Sequence, residues 1–133
     1  VQQVPELPLV IDSLNVETTQ KLLSTLNTIG ASGDLERVRK SKTSRAGQNK
    51  MRYSRFMLRK GPLIVYGDEN PLLKRTARNL PGVDTCSVHR LNLLQLAPGG
   101  HLGRFVIFTK DAFNHLNKVF GTYREKGVEK GGY

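Results

Sequence analysis

The chain has 133 residues with a formal net charge of +10, from 21 Lys and Arg against 11 Asp and Glu, and a single cysteine. Leu, Ile, Val and Phe supply 38 residues, which excludes a disordered polyelectrolyte and predicts one domain with a proper core. One cysteine excludes an intrachain disulfide and, with three scattered histidines, leaves no credible zinc set; no apolar run approaches the roughly 20 residues that span a bilayer, and no signal-peptide core is present, so a cytosolic or nuclear setting is expected.

Pro8 to Ser13, PLVIDS, predicts a short strand. Val16 to Ile29 places Val16, Leu22, Leu23, Leu26 and Ile29 as an amphipathic helix, with Asn15 as N-cap and Gly30 as the stop. Asp34 to Lys40 predicts a short helix turning Leu35 and Val38 inward. After a basic stretch, Pro62 to Tyr66, PLIVY, reads as a buried strand and Gly67 to Asn70 as a turn. Pro71 to Asn79 reads as a helix with Asn70 as cap and Pro71 at its first position. Leu80-Pro81-Gly82 ends that helix. Val83 to Val88 is a third strand, with Cys86 as a small buried residue in preference to a reactive thiol. Leu91 to Leu96 is apolar without a clear period, Ala97 to Gly103 is a glycine-rich loop, and Arg104 to Thr109 is a fourth strand. Thr109 then caps a helix from Lys110 to Phe120 whose Ala112, Phe113, Leu116, Val119 and Phe120 make one stripe.

Strands apolar on both faces and alternating with helices predict an α/β fold with a four-stranded parallel sheet. Three helices of any length are available to cover it, so coverage is partial and one face is thin. The division is a single globular domain over residues 1–121, carrying the basic segment 37–60 as an insertion, and a solvated tail over residues 122–133. Because the chain starts at Val1 without Met, a piece of something longer is expected.

Residues 37–60, RVRKSKTSRAGQNKMRYSRFMLRK, hold ten of the Lys and Arg and no acid. The other eleven cations equal the eleven acids, so the whole net charge sits in this segment. It interleaves its cations with Tyr53, Phe56, Ala46, Gly47, Gln48 and Asn49. Cations pair with phosphates, aromatic rings stack on unpaired bases, and glycine admits close backbone approach, which together point to RNA. DNA fits less well, because no helix-turn-helix or zinc-finger spacing presents a reading helix. A solvated basic loop or a nuclear-import signal has the same composition. Mutual repulsion predicts that the segment lacks fixed structure alone and orders on RNA.

Elsewhere the signals for chemistry are sparse. Pro98 to Gly103 precedes a strand with the wrong glycine spacing for a dinucleotide fingerprint and reads as a turn needing positive φ. Asp68 and Glu69 read as turn residues, not a metal pair. No nucleophile elbow follows a strand. The alternative to RNA binding as the whole function is an RNA-modifying or RNA-cleaving enzyme, with its site at the strand ends near Ser13, Tyr66, Val88 and Thr109. Few acids or glycines converge there. A regulatory protein binding messenger RNA would use the same basic chemistry.

The motifs Lys40-Ser41-Lys42 through Arg45-Ala46-Gly47, Arg59 to Tyr66 (RKGPLIVY), Ala77 to Val83 (ARNLPGV) and Leu91 to Phe105 (LNLLQLAPGGHLGRF) closely resemble the eukaryotic branch of the large-subunit ribosomal protein four family. The likeness runs in order from about Val4 to Phe120. It implies a structural constituent of the large (60S) ribosomal subunit that binds large-subunit rRNA and supports translation and subunit assembly. The implied fold is a three-layer α/β unit with strand order 1-4-2-3. Neighbouring ribosomal proteins are the implied partners, and cytoplasmic ribosomes, assembled in the nucleolus, the implied location. No catalysis, cofactor, metal, small-molecule substrate, membrane or homo-oligomer is implied. The family's N-terminal part with its tunnel loop and its C-terminal extension match nothing here. On the matching motifs the RNA contacts fall to Lys40, Lys42, Arg45, Lys50, Arg52, Arg55, Arg59 and Lys60, with Arg78 and Arg104 outside the segment. Arg37, Arg39 and Tyr53 complete the candidate set. Gln48, Asn49 and Met51 depart from the small or basic residues that relatives often carry.

Overall fold

Leu63–Tyr66 and Val106–Thr109 are short apolar runs without a polar face, so both their faces need cover, and they form the middle of the sheet. The computed structural model describes residues 6–52, 54–67 and 71–128; Tyr53, Asp68, Glu69 and the expected Asn70 cap lie outside the described residues. Along the chain the elements are β1 (Leu9–Ile11), α1 (Thr19–Thr28), α2 (Ser32–Lys40), β2 (Thr43–Ser44), α3 (Asn49–Arg52), β3 (Phe56–Met57), β4 (Leu63–Tyr66), α4 (Pro71–Arg78), β5 (Asp84–Ser87), α5 (Leu93–Leu96), β6 (Val106–Thr109) and α6 (Lys110–Phe120). Single 3-10 turns occupy Val88–Arg90 and Pro98–Gly100.

The main sheet is parallel throughout, in the order β1-β6-β4-β5, with Val65 of β4 in register with both Phe108 and Cys86. The expected order counted only the four parallel strands; β2 and β3 form a separate antiparallel ladder inside the basic segment. Side chains alternate across the sheet. Ile64 and Ile107 enter one core with Leu22 and Leu26 of α1 and Leu73 and Ala77 of α4, while Leu63, Val65 and Cys86 enter a second core with Ala112 and Val119 of α6. Helices thus pack on both faces. Among the described residues no helix is long and apolar enough to cross a membrane.

Two helix starts differ in how well local residues announced them. Thr109 caps α6 as expected, accepting from the Ala112 amide at 3.3 Å. For α1 the cap is Thr18, which accepts from the Lys21 amide at 3.4 Å, and Asn15 lies three residues upstream in an extended approach. Leu14 and Val16 are both buried in that approach, an alternation suited to extended chain, so core burial overrides the helical reading there. Gly30 ends α1 at φ 94°. Its amide donates to Asn27 and that of Ala31 to Leu26, the paired bonds of a Schellman stop, with Ala31 and Leu26 packed in one core.

The α6 stripe is narrower than expected. Ala112 and Val119 are buried, but Phe113 and Phe120 are 41% and 48% exposed, because a sheet this small covers only the middle of the helix. Phe113 meets the edge of Phe108 at 6.0 Å between ring centres. The tail also departs from a free end: Gly121 bridges Lys126 antiparallel and the Val128 amide donates to Lys118, folding residues 121–128 back on α6 with most side chains solvated.

Gly82 sets the distance between the sheet and the basic segment. It has φ +76°, its carbonyl accepts from the Gly61 amide at 2.8 Å, and a Cβ there would stand 2.5 Å from Val38 Cγ1 and 3.0 Å from the Arg59 carbonyl. Gly82→Ala combines left-handed strain of roughly 1–2 kcal/mol with displacement of a fully buried valine, for a total of about 2–3 kcal/mol. Thermal unfolding should record a midpoint about 8 °C lower. A midpoint within a degree of the parent would show that this junction yields without cost.

Candidate nucleic-acid interface

The basic segment begins on α2, where Val38 is held in the core and Arg37, Arg39 and Lys40 occupy the last turn. Cations are favoured there by the helix dipole. Two of them already have partners just upstream: Arg37 reaches Asp34 at 3.0 Å and Lys40 reaches Glu36 at 3.3 Å. Such exposed pairs contribute at most about 1 kcal/mol, yet they lower the charge that α2 presents.

Beyond α2 the chain leaves and returns as an arm. Ser41 clips its two ends together, donating through Oγ to the Val38 carbonyl at 2.6 Å and accepting from the Arg59 amide at 3.0 Å. Thr43 pairs with Met57 and Ser44 with Phe56, and the Arg45 amide donates to the Arg55 carbonyl at 3.0 Å. The single turn α3 forms the tip. Like-charge repulsion alone predicts no fixed structure, but this ladder and the Ser41 clip bring residues 18 apart into contact.

Phe56 organises the charges above the ladder. Lys42 Nζ stands 4.5 Å from its ring centre and the Arg55 guanidinium 6.0 Å away. These cation–π contacts contribute about 0.5–1 kcal/mol each when exposed. They also occupy ring surface that the composition assigned to base stacking. Among the described residues, Lys42, Arg45, Lys50, Arg52, Arg55 and Arg59 have no acidic side chain in ion-pair range, and Arg45 Nε is buried without a hydrogen-bond partner.

Where the arm rejoins the sheet, the charges become structural. Arg104 is the clearest correction to the sequence reading. Its side chain is only 4% exposed, and it donates from Nε to the Gly61 carbonyl at 2.8 Å, from Nη1 to the Gln95 carbonyl at 2.6 Å and from Nη2 to Asp84 Oδ2 at 2.6 Å. With its donors committed inside the protein, it is a bracket between strands and not an RNA contact. Lys60 is half committed to the same carboxylate, at 2.9 Å, with its side chain 53% exposed. Burial by itself raises the Asp84 pKa, but hydrogen bonds and charge from Lys60 and Arg104 outweigh it and hold the carboxyl below its ordinary range.

Arg78 lies exposed in the last turn of α4 and lines a concavity with Arg59, Lys60 and Lys74. The sequence reading named the first three of these and missed Lys74. The available signal was its spacing: four residues before Arg78, it shares that residue's helical face. Of the strand-end residues considered for an enzyme, Val88 is buried in the core and Thr109 caps α6. Among the described residues no group of three or more His, Cys, Asp or Glu could hold a metal.

Residues 4–119 match the family model described as the ribosomal protein L4/L1 family. Over its full length the chain is 53% identical to the large ribosomal subunit protein uL4 of Tetrahymena thermophila and 50% identical to that of Prunus armeniaca, covering 33% of each. Over 98% of its length it is 47% identical to the Candida albicans protein of the same name, covering 36% of it. The chain spans about a third of the length of these curated relatives.

Proposed function

The chain belongs to the ribosomal protein L4/L1 family, and from that premise we propose that it is the rRNA-binding body of a structural protein of the large ribosomal subunit. The α/β body is the mount, and the arm over residues 41–59 lies across folded rRNA and neutralises phosphates that would otherwise repel one another. The observation that carries this reading is the arm itself: six cations without acidic partners among the described residues, on a hairpin clipped at both ends and rooted in the sheet. The fold assigned to it is the family's three-layer unit of order 1-4-2-3. The parallel order β1-β6-β4-β5 supports this once β2 and β3 are left out of the numbering. Neighbouring ribosomal proteins are its other partners, on cytoplasmic ribosomes assembled in the nucleolus. The role requires neither catalysis nor a cofactor.

The test is binding to large-subunit rRNA and to bulk tRNA over a salt series, alongside a variant in which a short Gly-Asn turn replaces residues 45–55. That variant keeps Val38, Ser41 and the ladder residues. Preference for rRNA that disappears in the variant supports the proposal. Equal, steeply salt-dependent binding to both RNAs by the parent chain would reduce its role to non-specific charge.

A further inference from the structure

Resting on the RNA-binding reading, we propose that the groove between the arm's exit and α4 receives a single unpaired nucleotide of the bound RNA. The groove has a volume of about 580 Å³, within the range of built ligand sites. Its rim carries Arg59 and Lys60 from the arm and Lys74 and Arg78 from α4. Leu58 and Pro81 provide apolar surface between the two basic sides. A phosphate needs cations, and a ribose or base face needs apolar surface to lie on; an unpaired nucleotide supplies both at this spacing, whereas the backbone of an intact duplex offers only phosphate.

The one acid on the wall strengthens the case. Asp84 would repel a phosphate if free, but Arg104 and Lys60 hold it at 2.6 and 2.9 Å. Neither Lys74 nor Arg78 has an ion-pair partner among the described residues, and both are exposed. Arg59 also lines a second concavity on the other side of the arm, with Arg37 and Lys40, so cations continue past the groove in both directions. A strand following that track would pass its phosphates over Arg59 and place one nucleotide in the groove.

The experiment compares the chain with its Lys74→Gln/Arg78→Gln variant on two RNA hairpins, one carrying a single bulged nucleotide and the other fully paired. Both substitutions lie on an exposed helix face, and an unchanged unfolding midpoint verifies the fold. The expected result is roughly a 10-fold or greater loss on the bulged hairpin, with the magnitude of its salt slope falling by about 1.4 to 1.8, and little change on the paired one. Equal losses on both hairpins would reduce the groove to a general phosphate contact, and no loss on either would mean RNA does not enter it; each overturns the proposal. The variant lacking residues 45–55 separates this from the parent reading: if it binds both hairpins like the parent chain, the arm is not the RNA interface, whatever the groove does.

Discussion

Replacing Lys42, Arg45, Arg55 and Arg59 together by Gln lowers affinity for large-subunit rRNA about 10³-fold at 0.1 M salt and reduces the magnitude of the salt slope by about 3 to 4. The number follows from counterion release. Each phosphate neutralised by a cation frees roughly 0.7 to 0.9 of a bound counterion, so four contacts contribute about three to four powers of ten between 0.1 M and 1 M salt. These four were chosen because no acid competes for them among the described residues. Arg37 and Lys40 make the internal control: already facing Asp34 and Glu36, they should cost less per residue when changed to Gln. The fold should survive, since the only printed packing lost is the pair of cation–π contacts on Phe56. A fluorescence-anisotropy titration over 50 to 300 mM salt checks both quantities. An unchanged slope would mean that the arm does not touch phosphate.

What the residues reveal in advance depends on how far away their partners are. PLIVY at residues 62–66 and the run ending at Thr109 declare strands because burial on both faces leaves no room for polar residues. Gly30 and Thr109 declare helix ends because capping is a local transaction over three or four residues. Asn15 had the right chemistry for a cap but not the position, since Leu14 and Val16 gain more by entering the core from extended chain. The pairs on α2 were readable from spacing alone, at i,i+3 and i,i+4; a charge count starting at Arg37 cut off Asp34 and Glu36 just upstream. Arg104 was not readable. Its acid lies 20 residues away and one of its carbonyls 43 residues away, so only the assembled sheet tells a bracketing arginine from a binding one.

Arg104→Gln should therefore behave opposite to the arm substitutions, lowering the thermal midpoint by about 10 °C while leaving the salt slope of RNA binding unchanged. Breaking a buried ion pair costs roughly 3–5 kcal/mol; Asp84 is 34% exposed and keeps Lys60, which places this case near the bottom of that range. For a chain of this length each kcal/mol moves the midpoint by about 3–4 °C. The pH dependence identifies the carboxylate as the partner. Since Asp84 has a depressed pKa in the folded state, its contribution is fully present above the ordinary Asp value of about 3.9 and is lost as pH falls through the lower folded value. The midpoint difference between the parent chain and Asp84→Asn should stay constant from about pH 5 to 8 and shrink below about pH 4, as the parent's own carboxyl becomes protonated. A difference that persisted at pH 3 would place the stabilisation in packing and not in the charge. A salt slope that fell by about one in Arg104→Gln would return this arginine to the RNA surface.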